Sequence, residues 1–446
     1  MLRKIIQNSY TANVFILSLF IFSIIFQSNI LFILFLIFLI FFVLKYSIKA
    51  NLSSIIIIII TILPFLDLTK QLYPKVIYLI GTEFYLGGII KDILAIYLYI
   101  LFLVFAIFNK IKIEEKNILI FSFAYFFWSI ISMIRSPNLS IGLWGVRNYI
   151  EFYSIFLFFI LIHNIKINIK NYLFPFILIL FNIILLGLIR YFINPSFLYL
   201  VPEILNIDQT NPFFEEFKIR RLTAASLNSN EVGILISLGI ISIIGYTSKK
   251  KFYYLKYIIL LASIFSLFLT MSRSAWIGLM LAALVLLIKA KRKIISASII
   301  LIFVLLMLLN PIFQYRFYLI EQGDPRFINW GIAFKEILSN YKYLLIGKGA
   351  GIIGNKFSIA DGFSTLDNFY LHLWYEQGLI GIFIFLTFVI NIITLYKRKL
   401  KESENFIYPI SLLVCLLISN LFSPTLITPW GQAIFWLLGS LAKGNI

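Results

Sequence analysis

The chain is short of the residues that polar chemistry usually draws on. It holds one cysteine, Cys415, and two histidines, His163 and His372. A lone cysteine closes no internal disulfide, and the apolar run around Cys415 marks it as a packed helix residue. Two scattered histidines with no Cys/His cluster argue against a protein-built metal site. Neither a metal nor a cofactor is expected. Charged residues are only 13% of the chain. No internal repeat is found. No small-residue cleavage site follows the N-terminal MLRKIIQNSY, so the first apolar run reads as an uncleaved span.

What is abundant is apolar. Hydrophobic residues make up 61% of the sequence and the mean hydropathy is +0.98. A soluble domain has too little interior to hide that much apolar surface, which points to a polytopic membrane protein. Apolar runs separated by short charged loops predict an all-α transmembrane bundle of about 14 spans, with residues 1–446 forming a single integral membrane domain. The runs are 11–27, 30–44, 52–68, 90–108, 118–134, 149–163, 172–192, 230–246, 255–271, 274–289, 294–312, 367–396, 406–422 and 428–442. The twelfth is too long to lie wholly in lipid, and its first turns project above the membrane.

The net charge of +19 sorts by loop rather than forming a nucleic-acid patch. One set of loops carries Arg3–Lys4, Lys45/Lys49, Lys110/Lys112/Lys116, Lys166/Lys170, Lys249–Lys251 with Lys256, Lys289 with Lys291–Lys293, Lys397–Lys399 with Lys401, and Lys443. Only Glu114, Glu115, Glu402 and Glu404 oppose them. The positive-inside rule makes this set cytoplasmic, with both termini on that side. No nucleic acid is expected as a partner; the bilayer is.

Three outward segments are then unusually long or unusual in content: 69–91, read as partly re-entrant; the outer loop 193–229; and the large outer loop 313–366. Long loops in a compact protein usually carry function, so the outer face is the working face. Within the third, Phe327, Trp330, Phe334, Ile337 and Leu338 recur at helical spacing, predicting an amphipathic surface helix. The outer mouths also collect arginines: Arg220–Arg221, Arg273 and Arg326, with Arg147 one helical turn from Glu151. Guanidinium forks bind phosphate oxygens bidentately, although any single one also suits interfacial anchoring. At the start of the twelfth span Asn368, His372 and Glu376 share one helix face, with Asp367 beside it as a candidate N-cap. A carboxylate or imidazole there can accept a proton from a sugar hydroxyl. Gly347, Gly349 and Gly351 mark a tight turn, open to an anion but better read as a loop turn.

Three segments, in this order, resemble the O-antigen polymerase/O-antigen ligase family, the Wzy-type polymerases and lipid A-core ligases of bacterial envelopes. They are RLTAASLNSNEVGILISL (Arg221 to Leu238), TMSRSAWIGL (Thr270 to Leu279), and RFINWGIAF…LLIGKGAG…DNFYLHLWYEQGLIG (Arg326 to Gly381). The resemblance covers residues 220–385; the first half of the chain shares only hydropathy. It implies a bacterial cytoplasmic-membrane glycosyltransferase, metal-independent and inverting, that uses undecaprenyl-pyrophosphate-linked oligosaccharides. A chain-length regulator and a flippase would be further partners. It assigns Arg221 and Arg326 to phosphate binding with Arg220 and Arg273 behind them, places Asn368 in the substrate site, and leaves the base open among Asp367, His372 and Glu376. Ligases of the family show His-Asn where this chain has Asp367–Asn368, which favours polymerase over ligase. A flippase, the reading from another class, would place its cations along a midplane cavity, whereas here they gather at outer mouths.

Overall fold

The computed structural model describes residues 14–19, 29–48, 52–68, 77–79, 82–84, 86–108, 111, 115–161, 169–193, 221–224, 228–246, 253–289, 325–353 and 366–443. They are overwhelmingly helical. In chain order the helices are α1 (Asn29–Ile48), α2 (Leu52–Ile62), α3 (Leu86–Phe108), α4 (Lys116–Ile134), α5 (Leu139–Ile150), α6 (Tyr153–Leu161), α7 (Ile169–Ile193), α8 (Ser229–Gly245), α9 (Tyr253–Thr270), α10 (Arg273–Lys289), α11 (Pro325–Ser339), α12 (Tyr341–Ile346), α13 (Phe369–Glu402), α14 (Ile407–Ser419) and α15 (Pro429–Leu441). Three described helices are long and apolar enough to cross a membrane: Ile89–Phe108, Lys116–Ile134 and Phe369–Glu402. Shorter apolar helical stretches of 10–17 residues lie within other helices, among them Ile33–Tyr46 in α1 and Tyr172–Leu188 in α7.

Local propensity does not explain all of this. α2 reads LSSIIIIIITI, a β-branched run that would favour a strand. It is helical, and Ile55 to Ile60 are buried. A helix satisfies every backbone group within one segment, which a lone strand cannot do in an apolar setting. Pro64 then ends the α-helix, and the chain continues as a 3-10 turn over Leu63–Leu68. α3 shows the inverse of soluble amphipathicity. Ile93, Ile96, Ile100, Leu103 and Ile107 form an outward stripe, each 54% to 78% exposed, while Leu94 and Leu98 point inward at 6% and 0%. A helix that shows its apolar stripe outward is compatible with a lipid surround.

The structure departs from the sequence reading in several places. The segment 69–91 contains a short antiparallel hairpin, β1 (Ile77–Leu79) and β2 (Thr82–Phe84), paired Ile77↔Phe84 and Leu79↔Thr82. The described chain is therefore not purely α. The run 149–163 takes in only the last two residues of α5 and continues as α6 after a turn at Glu151–Phe152; the rest of α5 falls between the expected spans. Most of the run 11–27, the whole of 294–312 and most of loop 193–229 lie outside the described residues, as do parts of loop 313–366; residues 14–19 of the first run are helical. The predicted surface helix is α11. Ala333 and Ile337 are buried on one face, while Phe327, Phe334 and Leu338 are exposed on the other.

By contacts the chain divides into two compact units, residues 1–111 with 157–276 and 444–446, and residues 112–156 with 277–443. In the first, α7 packs along α8, and α8 along α9. In the second, α4 packs along α13, with α5, α11, α12, α14 and α15 around that pair.

The stripe on α3 generates a stability contrast. Leu98→Ala should destabilise the protein by about 2–5 kcal/mol, because it leaves a cavity, whereas Ile96→Ala should stay within about 1 kcal/mol. Thermal unfolding in detergent reads the difference. Equal losses would mean the outward stripe is covered.

Candidate active site

The site in the second unit is built on a broken helix. α13 runs Phe369–Glu402, but Gly378 has φ 74 and ψ −176, so the helical ladder stops and restarts there. A side chain at this position would be strained by the positive φ, and its Cβ would stand 2.3 Å from the Leu345 carbonyl oxygen. The break strands the carbonyls just before it, and buried carbonyls need partners. The Tyr375 carbonyl accepts from Lys348 N at 2.8 Å, and the Glu376 carbonyl from Gly349 N at 3.0 Å and Ser132 Oγ at 2.9 Å. The Gln377 carbonyl accepts from Trp128 Nε1 at 3.0 Å. Thus α4 and the glycine loop replace the missing helical bonds.

That use settles the glycine turn. Its N–H groups at Lys348, Gly349 and Ala350 all go to backbone carbonyls, the last to Ser132 O at 3.1 Å. The loop is a splice for α13 rather than an anion cradle. Arg135, at the end of α4, donates through Nη1 to the carbonyls of Ile346 and Gly347. Its guanidinium lies over the Trp128 ring, and burial pulls its pKa below the usual arginine range. Ser136 Oγ donates to Ala350 O at 2.6 Å. Gly145 lets α5 press directly on the loop, since a Cβ there would lie 1.9 Å from Gly351 N.

This close approach brings Tyr149 of α5 to Glu376. Tyr149 OH donates to Glu376 Oε2 at 2.7 Å, and Ile353 N donates to Oε1 at 3.1 Å. His372, one turn earlier, places Nε2 3.4 Å from the same Oε1, and neither ring nitrogen makes a hydrogen bond among the described residues. The side chains of His372 and Glu376 are 1% and 0% exposed. The one-face reading of these two residues is therefore realised, and the pair is sealed from solvent.

Asn368 and Asp367 sit differently. Asn368, not Asp367, is the N-cap of α13: its Oδ1 accepts from Leu371 N at 3.0 Å. Two adjacent residues could each cap, and the backbone turn selects the second. Asp367 is instead ion-paired with Arg326 of α11, Oδ2 to Nε 2.7 Å, with side chains 32% and 28% exposed. Of the three base candidates, Asp367 alone reaches the surface. Arg147 and Glu151 form an i,i+4 ion pair at 3.3 Å, and Gln432 of α15 braces their backbone through Glu151 N and Arg147 O.

The first unit gathers the other two motif segments. Arg221 Nε donates to Thr270 O and its Nη2 to Asn230 Oδ1, both at 3.0 Å. Leu222 N bonds Leu269 O at 2.9 Å. Arg273 opens α10 three residues beyond Thr270. Asn228 and Glu231 form a capping box at the start of α8. Arg220 lies outside the described residues.

Sequence reasoning missed a second, partly buried polar cluster. Lys348 Nζ lies 2.6 Å from Glu336 Oε2 and 2.8 Å from Tyr375 OH, and Tyr375 OH donates to Glu336 Oε2 at 2.5 Å. It ties α11 to α13. It also missed the stripe Ser122, Tyr125, Ser129, Ser132 and Ser136, whose helical spacing in an apolar run was the available signal. Among the described residues no cluster of His, Cys, Asp or Glu fits a metal ion.

No protein-family model matches the chain, and no curated protein matches it.

The splice should be fragile. Gly378→Ala should abolish the folded peak in fluorescence-detected size exclusion. Tyr149→Phe should fold but lose about 1–3 kcal/mol, because a buried carboxylate oxygen loses its donor. A Tyr149→Phe melting point equal to that of the parent would mean the bond is not formed.

Proposed function

We propose that this chain is a multi-pass protein of a bacterial cytoplasmic membrane, with about fourteen spans and both termini cytoplasmic. We further propose that it polymerises surface polysaccharide by joining undecaprenyl-pyrophosphate-linked repeat units on the outer face. What supports the reading is that residues far apart in sequence, but quoted together in the resemblance, are direct partners. Arg326 pairs with Asp367 in one unit, and Arg221 bonds the Thr270 turn and Asn230 in the other.

In the proposed reaction an acceptor hydroxyl attacks the anomeric carbon of the donor glycan. The new glycosidic C–O bond forms as the bond to the pyrophosphate oxygen breaks with inversion. The lipid pyrophosphate leaves with the electron pair. The resemblance assigns the neutralising charge to arginines, with Arg221 among them and Arg273 behind it. Asp367, accessible and held by Arg326, takes the hydroxyl proton. Glu376 holds Tyr149 of α5 and Ile353, just after the glycine turn, in register behind it. This chemistry needs no metal.

Asp367→Asn should slow transfer by about 10²–10⁴-fold, the usual contribution of a general base. In a strain lacking the native gene, Asp367→Asn and Arg221→Ala should collapse the envelope-glycan ladder to single repeat units with normal protein levels. Long lipid-linked polymer left unattached would instead identify a ligase, and single units trapped on the cytoplasmic leaflet a flippase. An unchanged ladder in both variants would refute the assignment.

A further inference from the structure

We infer that Arg326, Asp367 and the aromatic side chains beside them form a subsite for neutral sugar hydroxyls of the acceptor glycan, and not a phosphate clamp. The inference rests on the function proposed above and names what this part of the site takes.

The argument begins with charge. Arg326 Nε lies 2.7 Å from Asp367 Oδ2. A phosphate approaching this guanidinium meets a carboxylate of its own sign at the same place, and the pair together carries no net charge. Arg221 donates instead to a carbonyl and an amide oxygen. A sugar suits the Arg326–Asp367 pair better. Each hydroxyl both donates and accepts, so neighbouring hydroxyls can donate a hydrogen bond to the carboxylate and accept one from the guanidinium.

The surroundings match. Trp330 is one helical turn from Arg326 on α11 and so lies on the same face. Its ring stacks near Phe422, centroids 6.4 Å apart at 29°, and meets Phe327 edge-on at 5.2 Å. Phe327 and Phe422 remain 45% and 37% exposed. An aromatic shelf beside a paired donor and acceptor presents both things a pyranose offers partners for, its apolar C–H face and its hydroxyl rim.

The pair is partly exposed and contributes little to folding, so its variants should remain folded. The purified full-length protein in detergent would be titrated with phosphate-free oligosaccharide prepared from the host's own surface polysaccharide, and separately with inorganic pyrophosphate. Arg326→Gln and Asp367→Asn should each weaken oligosaccharide binding by about tenfold or more, the scale of one lost charge-assisted hydrogen bond. Phe422→Ala should weaken it too, and pyrophosphate should not compete. Pyrophosphate decides the matter in the parent and in Arg326→Gln. A phosphate clamp would bind pyrophosphate in the parent and lose it in Arg326→Gln, and that result overturns the inference. So does oligosaccharide affinity that is absent in the parent or unchanged in both variants. Asp367→Glu, melting like the parent and retaining part of the affinity, controls for folding. The envelope-glycan ladder separates the two levels. If deleting the gene removes polymer while the variants bind oligosaccharide normally, only the subsite fails; if deletion leaves the ladder intact, the polymerase reading fails.

Discussion

Three carbonyls that α13 cannot satisfy itself organise the second unit. The left-handed turn at Gly378 removes the partners of Tyr375, Glu376 and Gln377, and a buried carbonyl without a donor costs about as much as a lost hydrogen bond. The replacements come from Trp128 and Ser132 on α4 and from the Lys348–Gly349 backbone. Once the glycine loop is held there, Arg135 and Ser136 grip its other carbonyls, α5 packs on it at Gly145, and Tyr149 reaches Glu376. The buried carboxylate is thus a product of the break, held by donors that the break recruited.

The same logic separates structural polarity from chemical polarity. Glu376 and His372 are sealed, and both oxygens of Glu376 already accept hydrogen bonds from the protein. The Lys348–Glu336–Tyr375 cluster is likewise satisfied within itself. Asp367 and Arg326 form a partly exposed ion pair instead. In the first unit, Arg221 donates to the Thr270 carbonyl and the Asn230 amide oxygen, which orient the guanidinium.

The sequence disclosed the helices better than their joints. Apolar runs marked α1, α3, α4, α7 to α10, α14 and α15 because burial in a helix needs nothing but length and composition. α5 was lost because its outward face carries Leu139, Leu143 and Trp144, so its pattern does not read as a soluble amphipathic helix. The break in α13 was invisible because one glycine in an apolar run has no periodic signature; its neighbours from the distant loop give it meaning. Asp367 and Asn368 were chosen correctly as a pair of polar residues at a helix start, but which one caps depends on a single backbone turn. Tyr149 could not be found at all from pattern, since its partner lies 227 residues away.

The interruption at Gly378 also acts as a ruler. At 1.5 Å per residue the whole of α13, 34 residues, would extend about 51 Å, well beyond a hydrocarbon layer of about 30 Å. The stretch after the break, residues 379–402, measures about 36 Å, the length of one modestly tilted crossing. On the proposed placement, the short arm bearing Asp367, Asn368, His372 and Glu376 is then a separate rod mounted at a fixed height over the lipid. Its elevation is set by where the chain bends, whatever the bilayer's own thickness.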